Sequence, residues 1–302
     1  MPQIYTVEKD YHNSRFDRWF KAKIVNLPQS LVEKIIRQNK VKINRKKTKS
    51  SYRVQTGDIV ELYDIKKFKI SERPKLVKYK PTRKEVDIYD DYILENNENF
   101  IVINKPTGIA VQSGTKSFRN IIDVLKDTKY FENTKPFIVH RLDKETSGVL
   151  IVAKNREYAQ LFTSLFRIRK IHKTYIALTY GKVSNELKTL KDDLILFEPD
   201  RKIIQKAISH IKVIKSNLDY TFVELNPITG RKHQLRKQLY NIGNPIIGDD
   251  KYFINRRADK TRNKSKNLML HAYKIKFIIK DVQYNFKAKY NQDFEDFLKK
   301  NF

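Results

Sequence analysis

The chain has 302 residues, and its 63 lysines and arginines outnumber its 34 aspartates and glutamates, for a net charge of +29. It has no cysteine, which excludes disulfide frameworks, thiolate metal clusters and a cysteine nucleophile and favours the reducing cytoplasm as its location. Its apolar runs have the length of strands, whereas a membrane span needs roughly 20 residues. The charge indicates a polyanionic partner, but charge alone leaves RNA, DNA and anionic lipid open.

The first predicted elements are two short helices and a pair of strands between residues 14 and 64. A helical repeat of large apolar residues begins at Phe16. A second helix follows Pro28, with Ser30 and Glu33 at the spacing of a capping box. Two short alternating strands come next. The stretch is therefore predicted to form a compact basic module.

This module resembles the small RNA-binding domain of the ribosomal protein S-four type, also called the alpha-L motif. The shared order is a helix with R-x-D-R, a helix ending in basic residues, then V-x-I-N and G-D-x-V. Many members have glycine where this sequence has Arg45. The resemblance implies a small α/β domain over residues 1–65 that meets the RNA backbone through its second helix and hairpin. The cations expected to make these contacts are Lys34, Arg37, Lys40 and Arg45.

Residues 66–86 are predicted to form a basic linker. Nine cationic residues and a single acid lie between Lys66 and Lys84, and Pro74 and Pro81 interrupt any helix. A tether that touches RNA and a solvated connector are both compatible with this composition.

Residues 87–302 are predicted to form a second, α+β domain, because short apolar strands alternate with loops and two helices. One amphipathic helix runs from about Tyr158 to Phe166, and another from Gln234 to Ile242. The strand candidates lie at residues 100–103, 148–152, 173–179, 221–225, 268–270 and 274–279.

The segment from His140 to Gly148 is the best candidate for chemistry. Asp143 lies in a loop between Arg141 and Lys144, where positive potential favours an ionised carboxylate able to act as nucleophile or base. The alternative is structural, with Asp143 capping the following turn or pairing with Arg141. Spacing alone does not decide between the two.

The run HRLDKETSGVLIVAKN resembles the catalytic motif of the RluA-type pseudouridine synthases. Three further motifs occur in the order of that family: INKPTGIAV before this run, and KTYIAL and then NPITGRKHQLR with IGNPIIGDDKY after it. The resemblance covers roughly residues 92–286 and is closest to the RluC-type subgroup, which acts on large-subunit (23S) ribosomal RNA. It implies antiparallel and mixed sheets with flanking helices around a basic cleft. It also implies isomerisation of uridine, with uracil detached from ribose through N1 and reattached through C5.

The resemblance also implies roles for individual residues. Asp143 corresponds to the catalytic aspartate, acting as nucleophile or as base. Tyr175 corresponds to a tyrosine that stacks on the target base and helps to deprotonate C5, although a tyrosine in a strand is commonly core packing. Arg236 corresponds to an arginine that forms an ion pair with the catalytic carboxylate, the alternative being a phosphate contact. Further RNA contacts are expected from Arg141, Lys105, Arg231 and His233.

The expected reaction has no net redox change, and the sequence shows neither histidines at metal-binding helical spacing nor a phosphate-binding glycine loop. We therefore expect no cofactor and no metal. The expected partner is 23S ribosomal RNA during large-subunit assembly, with no membrane and no obligate protein partner. Two other functions remain open: a synthase acting on transfer RNA, and a non-catalytic RNA chaperone on the same fold.

Overall fold

The computed structural model describes residues 2–25, 27–64, 79–113, 119–198, 201–253, 265 and 267–302. The chain divides into two units, Met1–Leu76 and Val77–Phe302. Most of the predicted linker, residues 65–78, lies outside the described residues. Its last part is helical, because Thr82 and Glu85 form a reciprocal capping box at the start of α3 (Arg83–Ile88). The bounds of the linker, residues 66–86, stay a prediction.

The first unit is a four-stranded antiparallel sheet packed against two helices. Its strand order is β1-β4-β2-β3. The core includes Phe16, Trp19, Phe20 and Ile35, each at most 1% exposed. In chain order the elements are β1 (Gln3–Thr6), α1 (Phe16–Lys23), α2 (Gln29–Arg37), β2 (Val41–Ile43), β3 (Lys46–Lys47) and β4 (Ile59–Leu62).

Helix α2 begins earlier than the predicted capping box implies. The Pro28 carbonyl accepts hydrogen bonds from the backbone N–H groups of Leu31 and Val32, so Pro28 is the N-cap. Ser30 is then inside the first turn, and no side chain caps the helix. The capping box predicted at Ser30 is therefore wrong.

The turn between β2 and β3 explains how this chain does without the glycine common in alpha-L domains. Asn44 and Arg45 both have left-handed backbones, with φ of 50° and 65°. A two-residue hairpin turn with positive φ at both positions matches the twist of the flanking strands. The Asn44 side chain supports it by donating to Asp58 and accepting from the N–H of Ile59, both at 2.8 Å. Arg45 therefore replaces glycine in the turn and keeps an exposed cation there.

The second unit is built on one mixed sheet of ten strands, as the α+β prediction requires. Eight strands lie in the order β10-β11-β12-β9-β13-β8-β6-β5, with β14 paired to β13 and β7 to β8. All the pairings are antiparallel except that of β13 with β8. In chain order, after α3, the elements are β5 (Ile93–Asn96), β6 (Phe100–Lys105), α4 (Ile121–Lys126), β7 (Phe137–Ile138), β8 (Ser147–Ala153), α5 (Arg156–Arg167), β9 (His172–Tyr180), β10 (Thr189–Glu198), β11 (Arg201–Ser216), β12 (Tyr220–Pro227), α6 (Gln234–Asn241), β13 (Leu270–Ile279), β14 (Val282–Lys287) and α7 (Gln292–Asn301).

Helices cover the sheet and leave its centre buried. Phe162 of α5 meets Phe100 of β6 and Phe277 of β13 with ring centroids 5.4 and 5.2 Å apart. Strand β8 is buried along its whole length. Among the described residues, no helix is both long enough and apolar enough to cross a membrane.

Candidate active site

A cleft of about 550 Å³ lies where the loop before β8, the first half of β9, the end of α5, the loop after β12 and the start of α6 meet. A cleft of this volume is within the usual range for small-molecule sites. Six of the residues predicted for the site line it together. They are Arg141, Asp143, Tyr175, Arg231, His233 and Arg236.

Lys105 does not line the cleft but holds the loop that carries Asp143. Its side chain is fully buried, and its ammonium group donates to the carbonyls of Pro106, Ile109 and Lys144 at 2.8, 2.9 and 3.1 Å. Burial lowers the pKa of Lys105 to about 7, although nearby carboxylates oppose the shift. Three carbonyl acceptors match the three donors of an ammonium group. The prediction that Lys105 contacts RNA is therefore wrong.

The other end of this loop is fixed by a close approach between β8 and β13. Gly148 has φ +112°, and a Cβ there would lie 2.3 Å from the carbonyl oxygen of Ala272. Beside it, Ser147 Oγ and His271 Nδ1 are 2.8 Å apart. Only glycine fits at position 148, and its fit determines where the Asp143 loop enters the sheet.

Asp143 is partly open to the cleft, with 30% of its side chain exposed, and His233 is beside it. The Nε2 atom of His233 is 3.7 Å from Oδ1 of Asp143, and its Nδ1 is 3.0 Å from the hydroxyl of Tyr252. Burial is the main cause of a lowered pKa for His233, and the positive charge of Arg236 adds to the effect while Asp143 opposes it. A lowered pKa favours a neutral imidazole near pH 7. RNA binding by His233 stays a prediction.

Arg236 is not paired with Asp143, so that prediction is wrong. Its guanidinium forms a bidentate ion pair with Asp249, at 2.7 and 2.6 Å, and a further contact at 3.2 Å with Asp250. The side chains of Arg236 and Asp249 are 5% and 0% exposed. A carboxylate without solvent needs a full set of donors, and the N–H groups of Lys251 and Tyr252 complete it. The described residues show no ion pair between Arg236 and Asp143.

Tyr175 lies on β9 opposite Leu225 of β12. Burial, and secondarily the negative charge of Asp143, raise the pKa of Tyr175 well above its usual value. Its hydroxyl therefore keeps its proton near neutral pH. Both predicted roles of Tyr175, stacking on the base and removal of the C5 proton, stay predictions.

Lys173 and His140 are two of the cleft residues to which the sequence motifs assigned no role. Lys173 precedes Tyr175 by two positions on β9, and this i, i+2 spacing in a strand was the available signal. His140 accepts from the Ile151 N–H at 2.9 Å and packs on Phe166, with ring centroids 4.8 Å apart. Burial, followed by the charge of Lys173, lowers the pKa of His140 to about 3. His140 is therefore a neutral supporting residue.

The remaining predicted contacts lie on the surface. Arg231 is exposed at the cleft and donates to the carbonyl of Lys206 at 3.3 Å. Lys40 forms a 3.0 Å ion pair with Asp64 in the first unit. The described residues include no group of histidines and carboxylates placed to hold a metal ion, and the absence of metal and cofactor stays a prediction. The other predicted RNA contacts of the first unit, all exposed, are Lys34, Arg37 and Arg45.

Comparison with known sequences gives two family matches. Residues 99–241 match the family described as RNA pseudouridylate synthase, and residues 22–60 match the S4 domain, the alpha-L motif. Proteins named ribosomal large subunit pseudouridine synthase C are similar over most of the chain. The one from Rickettsia bellii is 35% identical over 87% of this chain and 89% of its own length. The one from Buchnera aphidicola subsp. Schizaphis graminum is 33% identical over 91% and 89%.

Solved structures show the same fold. Human RNA Pseudouridylate Synthase Domain Containing 4 superposes with a TM-score of 0.59 at 26% identity, over 71% of this chain and 94% of that one. Human RNA Pseudouridylate Synthase Domain Containing 1 has a TM-score of 0.54 at 21% identity, over 66% and 82%.

Proposed function

The chain belongs to the RNA pseudouridylate synthase family, and on that basis we propose that it isomerises specific uridines of large-subunit (23S) ribosomal RNA to pseudouridine. The substrate is inferred from relatives whose names specify the large ribosomal subunit. We expect the protein to work in the cytoplasm, on RNA and without an obligate protein partner. The observation that best supports the proposal is a cation-lined cleft that holds Asp143 and Tyr175 together.

The reaction needs a group at the ribose and a surface for the base. The bond between C1′ and N1 breaks, a bond between C1′ and C5 forms, a proton leaves C5 and N1 gains one. Asp143 is the carboxylate that faces the cleft, and it assists glycosidic cleavage as nucleophile at C1′ or as base. Tyr175 stacks on the uracil while it turns. A uridine within a helix cannot present its glycosidic bond, so the target nucleotide is flipped into the cleft.

The first unit supplies a second attachment to RNA. Lys34 and Arg37 lie on α2, and Arg45 is at the tip of the β2–β3 turn. We assign these exposed cations to contacts with backbone phosphates. Such contacts add affinity without sequence information and weaken as salt rises.

Replacement of Asp143 tests this function. Asp143→Asn keeps the size of the side chain and removes its charge, so release of tritium from ribosomal RNA labelled at C5 of uridine should be lost. RNA affinity should stay near the parental value, because one carboxylate contributes nothing favourable to phosphate binding. Glu145→Gln is the matched control, since Glu145 is an acid of the same loop that does not line the cleft.

Chemical mapping of pseudouridine in separated RNAs identifies the substrate. Modification of 23S RNA alone is the expected result, and modification of transfer RNA instead would overturn the substrate assignment. Tight RNA binding without turnover by the parent protein would identify a chaperone. Parental turnover by Asp143→Asn would remove Asp143 from its role.

A further inference from the structure

The cations that line the cleft differ in their exposure to solvent and in whether a carboxylate pairs with them. The arginines that line it from α5 and the loops are exposed and shielded by solvent, whereas Arg236 is buried and occupied by Asp249. Lys173 is the remaining cation among the described lining residues that is neither exposed nor paired. The exposed arginines are Arg141, Arg167, Arg169 and Arg231.

Lys173 points into the cleft on the same face of β9 as Tyr175. Residues two apart in a strand share a face, and both residues line the cleft. A Cβ placed on Gly230 would lie 4.0 Å from Nζ of Lys173, so the amine is beside the loop that follows β12. None of the described residues forms a hydrogen bond or ion pair with this amine. Every fully buried side-chain nitrogen or oxygen of the described residues does have a partner, so the amine is not fully buried. The amine must therefore reach the open space of the cleft.

The charge of Lys173 is only partly solvated. Burial lowers its pKa below the usual value for lysine, and its charge in turn lowers the pKa of His140. A partly desolvated cation without a counterion interacts strongly with negative charge that develops nearby. Because the strand already holds it in place, little reorganisation is needed when that charge appears.

We propose that Lys173 stabilises the uracil anion released when the glycosidic bond breaks. The inference rests on the proposed function and adds a catalytic residue to it. When the bond between C1′ and N1 breaks, its electron pair stays on uracil and spreads over N1, O2 and O4. This holds whether Asp143 attacks C1′ or acts as base. The charge is neutralised as C5 bonds to C1′, C5 loses its proton and N1 gains one.

Position favours the base over a phosphate as the partner of Lys173. The exposed arginines lie where a backbone entering from solvent would pass, while Lys173 is next to the tyrosine on which the base stacks. If Lys173 contacts the base, removal of its charge should lower kcat. If it contacts a phosphate, removal of its charge should raise KM.

The test compares Lys173→Met, which keeps the length and removes the charge, with Lys173→Arg, which keeps the charge. Arg167→Met is the control for an exposed cation of the same cleft. We expect Lys173→Met to lower kcat by about 100-fold to 1000-fold, the usual effect of losing one preorganised charge stabiliser, with KM within a factor of three or so. Lys173→Arg should recover part of kcat. Arg167→Met should raise KM and leave kcat near the parental value.

A better leaving group gives a second readout. The anion of 5-fluorouracil is more stable than that of uracil, so it depends less on Lys173. The deficit of Lys173→Met should shrink on RNA containing 5-fluorouridine, followed as loss of that nucleoside after digestion. An unchanged kcat with a raised KM, or an equal deficit on both RNAs, would overturn the inference. Activity of the parent protein and its loss in Asp143→Asn test the proposed function separately. The proposed function and the role of Lys173 can therefore fail independently of each other.

Discussion

Replacing Arg236 by methionine tests whether this arginine holds the fold of the site or acts on Asp143. In the structure it pairs with Asp249, whose Oδ1 also accepts from the N–H groups of Lys251 and Tyr252 at 2.9 and 2.8 Å. Arg236→Met leaves a buried carboxylate without its cation. Asp249→Asn leaves the buried guanidinium with only its longer contact to the exposed Asp250, but it keeps the oxygen that accepts from the turn. The double variant buries neither charge.

The sizes of these effects follow from the burial of the pair. Breaking a buried ion pair by removing one partner costs about 3–5 kcal/mol. For a domain of roughly 150–250 residues, each kcal/mol corresponds to about 2–4 °C in Tm, so each single variant should melt about 6–20 °C lower. The double variant should be more stable than the sum of the two losses predicts, by at least about 1 kcal/mol.

Differential scanning calorimetry of the full chain measures these losses, and the melting of the first unit serves as an internal reference. The expected result is that only the transition of the second unit moves. If Arg236→Met melted at the parental temperature yet lost its activity, the arginine would act on Asp143 in the working enzyme. A purely structural role for Arg236 would then be refuted.

Four other perturbations test separate parts of the structure. Lys105→Met leaves three carbonyls without their donor, and each loss should lower the free energy of unfolding by about 1–3 kcal/mol. The Tm should therefore fall, while the salt dependence of RNA binding stays unchanged. A shallower salt dependence would indicate that Lys105 contacts RNA. Burial lowers the pKa of His271 to about 4, so between about pH 6.5 and pH 4 the unfolded chain binds a proton at this histidine that the folded chain does not. The free energy of unfolding should therefore fall by about 3 kcal/mol as the pH drops through this range. His271→Gln should reduce this dependence of Tm on pH, and an equal dependence in the variant would contradict the role of His271. Tyr252→Phe removes the hydroxyl partner of His233 and should lower kcat several-fold without changing RNA affinity; weaker RNA binding at parental kcat would instead indicate a binding role. Deleting residues 1–76 should preserve turnover of a short RNA but impair modification of 23S RNA, because the second attachment to RNA is lost. The salt dependence of RNA binding should also become shallower. Unimpaired modification of 23S RNA would show that the first unit has no targeting role.

Local patterns predicted the elements that hold the site. The apolar repeat from Tyr158 to Phe166 predicted a helix that the structure places at Arg156–Arg167. The apolar run ending at Val152 predicted β8. Such periodicity reports which face of an element is buried, and burial is what most stabilises it. Asp143 and Tyr175 were expected to share one site only because the resemblance to the RluA-type synthases implies it, since nothing in the local patterns shows that the loop before β8 and strand β9 meet across β13.

The partners of polar side chains could not be predicted in the same way. Lys105 reads as a surface cation, since nothing local shows that three carbonyls converge on it. Arg236 pairs with Asp249, which is 13 positions further along the chain. The resemblance assigned no role to Asp249, although this residue lies in the motif IGNPIIGDDKY. The hairpin of β10 and β11 was missed because its frequent lysines resemble loop composition. Strand β13 was predicted as two strands, since a register shift between His271 and Lys274 interrupts its alternation.

The pairing of β13 with β8 has a consequence for the order in which the protein becomes functional during synthesis. Ser147 and His271 meet across 124 positions of sequence, and β13 also separates β8 from β9 in the sheet. The loop with Asp143 therefore gains its final support only after the ribosome has added β13, 124 positions after Ser147. The first unit needs only residues up to 64 for its core and can fold much earlier, as N-terminal domains generally do. A nascent chain thus acquires its RNA-binding surface while its catalytic cleft does not yet exist.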